Sequence, residues 1–93
     1  EAFSWYRKAA EQGFPAAQLN VGIMYEAGDG VAPDLVEAAK WYRRAAEQRV
    51  PTAQYNLGCL YAKGWGVPQD FEEAYAWFAV ASFNGQPSAP AAK

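Results

Sequence analysis

The sequence predicts an all-α fold, a stack of antiparallel helical hairpins, and three observations carry that prediction. Val, Ile and Thr are scarce and no stretch alternates apolar with polar residues, so strands are not expected. Hydrophobic residues make up 52% of the 93-residue chain, and many of them are alanines, which suit close-packed helices. The chain also repeats itself. Trp5-Tyr6 recurs as Trp41-Tyr42 and again as Trp77-Phe78, a spacing of 36 residues. Over half of residues 5–40 are identical to residues 41–76 at that offset, among them Ala9, Ala10, Gln12, Pro15, Gln18, Asn20, Gly22, Tyr25, Gly28, Gly30, Asp34 and Glu37. A period in the thirties with small and aromatic residues at helical spacing describes units that stack on one another.

The punctuation places each element. Residues 1–13 read as the second helix of a truncated unit, ended by Gly13. Pro15 and Pro51 suit the first turn of a helix, where a missing N–H costs nothing. First helices are expected from about Ala16 to Ala27 and from Thr52 to Lys63, with Gly28 and Gly64 as left-handed stops. Asp34 and Asp70 are expected N-caps, and Glu37 and Glu73 three residues on complete the pattern of a capping box. The second helices then reach about Gln48 and Asn84, and Gly85 matches Gly13 as a stop. The middle copy has Arg49 at that place, where a positive φ is expected to cost stability. Full units thus occupy residues 14–49 and 50–85. The tail 86–93, QPSAPAAK, aligns with the start of another first helix, but Pro90 inside it is expected to prevent helix formation. The chain opens in mid-pattern at Glu1-Ala2-Phe3, as a cut from something longer would.

The stretch AGDGVAPD, residues 27–34, resembles a phosphate or metal loop at first sight. Its copy KGWGVPQD, residues 63–70, keeps Gly64, Gly66, Val67 and Asp70 and replaces Asp29 with Trp65. What recurs is turn chemistry. A nucleotide loop needs a preceding strand and a third glycine, whereas a helix precedes this one and Pro33 stands at the glycine's place. Alternating oxygen ligands for calcium are lacking too.

Composition narrows the function. The net charge is −2 and basic residues are thinly spread, Arg43-Arg44 being the densest pair, so nucleic acid is not an expected partner. No apolar run approaches the roughly 20 residues of a membrane span, and no signal peptide opens the chain. Histidine is absent, which removes the commonest general base and metal ligand. Cys59, the one cysteine, has no histidine to activate it and sits mid-helix where the other copy has Ile23, so a packed thiol is expected. Glu26 and Asp29 could serve as an acid–base pair, but neither recurs. No catalytic residue, metal site or cofactor is expected.

The series Ala-Gln-x-Asn-x-Gly-x-x-Tyr, Gly-x-Gly-Val-x-x-Asp and Glu-Ala-x-x-Trp-Tyr-Arg-x-Ala-Ala-Glu resembles the Sel1-like repeat, a relative of the tetratricopeptide repeat. The resemblance covers residues 2–85. It implies a right-handed α-α superhelix of about five helices, a bacterial source, and a noncatalytic scaffold for protein contacts. The cysteine-rich, disulfide-paired branch of the family does not fit a single cysteine. The resemblance also implies that first helices line the concave face. Positions there that differ between copies, Leu19/Tyr55, Ile23/Cys59, Glu26/Ala62 and Ala27/Lys63, are free to be chosen for a ligand. Asn20 and Asn56 are constant. In the related tetratricopeptide domains an asparagine at the matching place grips a bound peptide, and an amide can donate and accept at once. The alternative is that these asparagines bond a neighbouring loop. The expected partner-binding set is therefore Asn20, Ile23, Tyr55, Asn56, Cys59, Lys63 and Trp65. Trp65 would be either an exposed interface residue or a lid folded over its own turn. The recurring aromatics Tyr25, Tyr61, Trp41, Tyr42, Trp77 and Phe78 are expected to fill the layer between helices. Ala2, Phe3 and Tyr6 on the opening helix would lack a covering partner, which gives an alternative reading: a structural or oligomerisation segment that self-associates through uncapped ends. A third is a regulatory part of a longer enzyme. The compartment, a bacterial cytoplasm or periplasm for a soluble protein, is not fixed by the sequence.

Overall fold

Five helices follow one another in a computed structural model that describes residues 2–85: α1 Ala2–Glu11, α2 Pro15–Ala27, α3 Leu35–Glu47, α4 Pro51–Lys63 and α5 Phe71–Phe83. There is no strand among the described residues. The expected behaviour of residues 86–93, with Pro90, lies outside them. The main packing partners are chain neighbours, α1 with α2, α2 with α3, α3 with α4 and α4 with α5, and the result is elongated, 40 × 24 × 17 Å.

The boundaries have local causes. Pro15 and Pro51 are the first residues of their helices. Gly28 and Gly64 end those helices in the left-handed region, at φ 72° and 70°. The Asp34 carboxylate accepts from the Glu37 N–H at 3.1 Å and Asp70 from Glu73 at 3.1 Å. The reciprocal half of the expected capping box does not form. The Asp34 N–H instead donates to the Tyr25 carbonyl at 2.9 Å, and Asp70 to Tyr61 at 2.9 Å, so the preceding helix satisfies the group the glutamate would have met. Each turn is thereby tied to its own first helix. The turn also explains its second glycine. A Cβ on Gly66 would stand 2.2 Å from the Leu35 carbonyl oxygen, so only glycine lets residues 63–70 lie on the start of α3.

Alanines on the second helices let the backbones approach: Ala38, Ala45 and Ala81 are fully buried. Val21, Leu57 and Leu60 fill the centre. Gly22 and Gly58 are seats for aromatic rings. A Cβ on Gly22 would be 2.7 Å from the Tyr42 ring, and one on Gly58 2.7 Å from Phe78. A polar ladder runs alongside. Gln18 donates to the Ala10 carbonyl at 3.1 Å and accepts from Gln48 at 2.7 Å. Gln54 repeats this with Ala46 at 3.0 Å and Asn84 at 3.0 Å. Each buried glutamine thus pins its first helix to the second helices before and after it.

Arg49 adopts φ 67°, the one non-glycine residue among the described residues with positive φ, where its counterparts Gly13 and Gly85 sit at 100° and 97°. Its side chain is exposed, so nothing in the packing offsets the strain. Arg49→Gly is expected to stabilise the chain by about 1 kcal/mol, which thermal denaturation would register as a rise of roughly 4–8 °C. An unchanged or lower melting temperature would contradict this account.

At the opening helix the expectation holds only in part. Phe3 packs edge-on against Tyr25, with ring centroids 5.3 Å apart, because the last turn of α2 lies beside the first turn of α1. Trp5 and Tyr6 remain exposed, Trp5 at 71% against 6% for its counterpart Trp41.

Candidate functional site

The first helices α2 and α4 carry the side chains that differ between repeats. Identical positions on them are buried: Ala17 and Ala53, Gln18 and Gln54, Gly22 and Gly58. Among differing positions, Val21/Leu57 and Met24/Leu60 are buried and exchange one apolar side chain for another, and the others lie nearer the surface. Ile23 is 41% exposed, Glu26 is exposed, and Tyr55 and Cys59 are half-buried.

Tyr42 organises this face. Its ring is buried against Gly22, and its hydroxyl emerges between the first helices to donate to Glu26 Oε1 at 2.6 Å. The Asn56 amide reaches the same hydroxyl. Burial, then the Glu26 carboxylate, pushes the Tyr42 phenol far above the usual tyrosine range, while Asn56 opposes that shift. The hydroxyl therefore stays protonated and remains a donor. Its repeat counterpart Phe78 has no hydroxyl, so the arrangement occurs once.

Tyr55 and Cys59, one turn apart on α4, share a hydrogen bond. Burial pushes the Cys59 thiol up, against smaller opposing effects of Tyr55 and Lys63. The neighbouring thiol is the first cause of a raised Tyr55 phenol. A protonated thiol is a weak nucleophile, in keeping with the packed cysteine expected from sequence. The Tyr55 ring also lies 5.2 Å from Phe78 and so extends the face toward α5. Further along, the Lys63 ammonium sits 4.4 Å from the centre of the Trp65 ring. Trp65 stays 44% exposed beneath it, so the indole is neither free-standing nor folded away.

The structure thus gathers Tyr55, Asn56 and Cys59 around Tyr42 and Glu26, with Lys63 and Trp65 as a neighbouring pair. Asn20 is half-buried and Ile23 exposed on α2, and among the described residues no side-chain hydrogen bond ties Asn20 to the cluster. Sequence reasoning missed the Tyr42 hydroxyl because a repeated residue was read as scaffold throughout. The signal was the change from tyrosine to phenylalanine at residue 78. Glu26 serves as the acceptor for Tyr42, and no group of three or more metal-ligating side chains occurs among the described residues. No described helix is long and apolar enough to cross a membrane.

The Sel1 repeat profile matches residues 1–14, 15–50 and 51–82. A comparison with curated proteins finds no match. Among solved structures, a Sel1 repeat protein from Oxalobacter formigenes is 46% identical with a TM-score of 0.89, over 91% of this chain and 35% of that one. The protein c5321, a protective antigen present in uropathogenic Escherichia coli strains, is 44% identical with a TM-score of 0.90, over 91% of this chain and 18% of that one. Helicobacter pylori cysteine rich protein B is 29% identical with a TM-score of 0.89, over 94% of this chain and 65% of that one. The chain therefore spans less than two thirds of the length of each. All three neighbours are bacterial.

Proposed function

Since this chain belongs to the Sel1 repeat family, whose members are generally noncatalytic scaffolds for protein interactions, we propose that it binds a peptide or protein partner on the face formed by α2 and α4. Asn20, Ile23, Tyr55, Asn56, Cys59, Lys63 and Trp65 would line the contact, with Glu26 and the Tyr42 hydroxyl beside them. One observation carries this reading. On α2 and α4 the pairs Ile23/Cys59, Leu19/Tyr55 and Glu26/Ala62 change in size or chemistry between repeats and stay at least partly accessible beside Asn20 and Asn56, while the differing pairs that are buried, Val21/Leu57 and Met24/Leu60, only exchange one apolar side chain for another. The face offers an acceptor in Glu26, a two-way amide in Asn56 and a cation in Lys63, set among aromatic surface.

The test uses a partner captured on the immobilised chain, identified, and then titrated as a purified protein. Asn56→Ala is expected to weaken binding about tenfold or more, as loss of a well-placed hydrogen bond does, while the melting temperature moves little. Unchanged affinity would refute the assignment. A collapsed melt would make Asn56 part of the scaffold through Tyr42.

A second reading has its own observation. Trp5 on α1 and Phe71, Tyr75 and Phe83 on α5 are 58–91% exposed, an apolar area of the kind that associates. In this reading the segment is structural and contacts further copies or repeats through these faces. Sedimentation showing a monomer at high concentration would remove the self-association part of it.

A further inference from the structure

We propose a second binding surface, along α3 and the turn after α4, that takes an acidic segment of a partner protein with an apolar residue among its carboxylates. It stands independently of the first-helix face. A groove of about 370 Å³ lies between the outer side of α3 and the turn that joins α4 to α5. Val36, 52% exposed, forms its floor with Ala39 and Val67. Lys40, Arg43 and Arg44 line it, against a single carboxylate, Glu47. A second groove of about 280 Å³ shares Lys40 and Arg44 and continues over Trp41 toward Arg7, where Glu11 and Glu37 also line it, each already paired with a cation. A chain crossing α3 would therefore meet Arg44 from both sides.

The cations differ in what already holds them. Arg7 is paired with Glu11 at 3.0 Å and Lys40 with Glu37 at 3.6 Å. Among the described residues, neither Arg43 nor Arg44 has a carboxylate within ion-pair distance. Each is backed instead by an aromatic ring. The Arg43 guanidinium bonds the Tyr61 hydroxyl and lies 5.7 Å from that ring's centre; Arg44 lies 4.6 Å from the Trp41 ring. The Trp41 ring holds Arg44 from one side and the Tyr61 hydroxyl holds one N–H of Arg43, leaving the remaining N–H groups for an acceptor, so less rotamer entropy is lost on binding. Gly66 adds no side chain to the wall and, held hard against Leu35, keeps that wall in place.

The charge pattern selects the occupant. In a chain of net charge −2, three cations, Lys40, Arg43 and Arg44, outnumber the one carboxylate, Glu47, around a small apolar floor, and among the described residues neither guanidinium is ion-paired. That complements carboxylates spaced around one apolar side chain. It is too little positive charge to follow a nucleic-acid backbone, which needs many phosphate contacts.

The test is fluorescence anisotropy with the 93-residue chain and three labelled peptides: one of Glu and Asp flanking a central Leu, its Gln/Asn counterpart, and an acidic version with Ser for Leu. The acidic, Leu-containing peptide is expected to bind at low ionic strength and to weaken as salt rises through the range where the Debye length shrinks to about 8 Å. The amide peptide, and the variants Arg43→Gln and Arg44→Gln, should each lose about tenfold, as removing a charge-assisted bond does. Ser for Leu should weaken binding, and Val36→Asp should abolish it. Asn56→Ala should leave it unchanged, which separates this surface from the first-helix face. Arg44→Gln and Val36→Asp alter exposed side chains, so melting curves will show them folded. Equal binding of acidic and amide peptides would overturn the proposal. So would indifference to Arg44→Gln and Val36→Asp in folded protein, or no binding at all. Displacement by inorganic phosphate as effective as by peptide, or tighter binding of a single-stranded oligonucleotide, would also overturn it.

Discussion

Trp41→Ala is expected to destabilise the chain by about 3–5 kcal/mol, the range for truncating a large buried aromatic, and to lower the melting temperature by more than about 12 °C. Trp41 sits on α3, the central helix, is only 6% exposed and belongs to the main core cluster. The repeat supplies internal controls. Trp77 is partly buried on α5, and Trp5 is 71% exposed on α1. The same substitution should therefore cost most at residue 41, less at 77 and close to nothing at 5. In a stack where each unit touches its neighbours, weakening the central interface also uncouples the two sides. The Trp41→Ala unfolding transition in urea should broaden and its slope fall, as it does when two-state behaviour fails. A loss below about 1 kcal/mol, or equal losses at all three tryptophans, would show that burial does not set their contribution.

The second large effect is at Gln54, 1% exposed and bonded at both ends. Gln54→Leu keeps the approximate volume and removes both bonds. It leaves the Ala46 carbonyl with its backbone donor, the Arg49 N–H at 3.0 Å, and deprives Asn84 of one of its two acceptors. Each lost hydrogen bond contributes about 0.5–1.5 kcal/mol net. Asn84 is half-buried and retains a bond to the Val80 carbonyl at 3.1 Å, so its share is the smaller. A total of about 1–3 kcal/mol is expected from chemical denaturation. Gln54→Glu tests the same point without loss of shape: a carboxylate cannot donate to Ala46, and the protein should regain stability as the pH falls and the acid protonates. Near-neutral Gln54→Leu would mean that the ladder adds little beyond volume.

The architecture was legible because the chain states it nearly three times. Proline, glycine and aspartate recur where helices begin and end, and each has a backbone reason that holds whatever the tertiary context. Arg49 was legible for the same reason: two glycine copies flag a left-handed position that a single copy could not. Where reasoning fell short, the answer depended on a neighbour in space. Glu37 completes a capping-box pattern, but the Asp34 N–H had a nearer acceptor in Tyr25. Phe3 looked uncovered until α2 was seen to reach it. The Tyr42 hydroxyl was hidden by the rule that repeated residues are scaffold; its ring is scaffold and its last atom is surface. Gln18 and Gln54 showed their importance by recurring, but nothing in the sequence said that each bonds forward to a residue 30 positions away. The Arg43-Arg44 pair was noticed as charge alone. Its aromatic backing comes from Trp41, three residues before Arg44 on the same helix, and, for Arg43, from Tyr61 on α4.

The principal contacts join helices that follow one another along the chain. Such a topology asks for little loop closure before contacts begin to repay it, so folding should be fast. It also gives synthesis a direction: α1 to α3 can settle while later residues are still inside the ribosome. The exposed nascent surface at any moment is then about one helix face, the narrowest target such a chain can offer to premature aggregation.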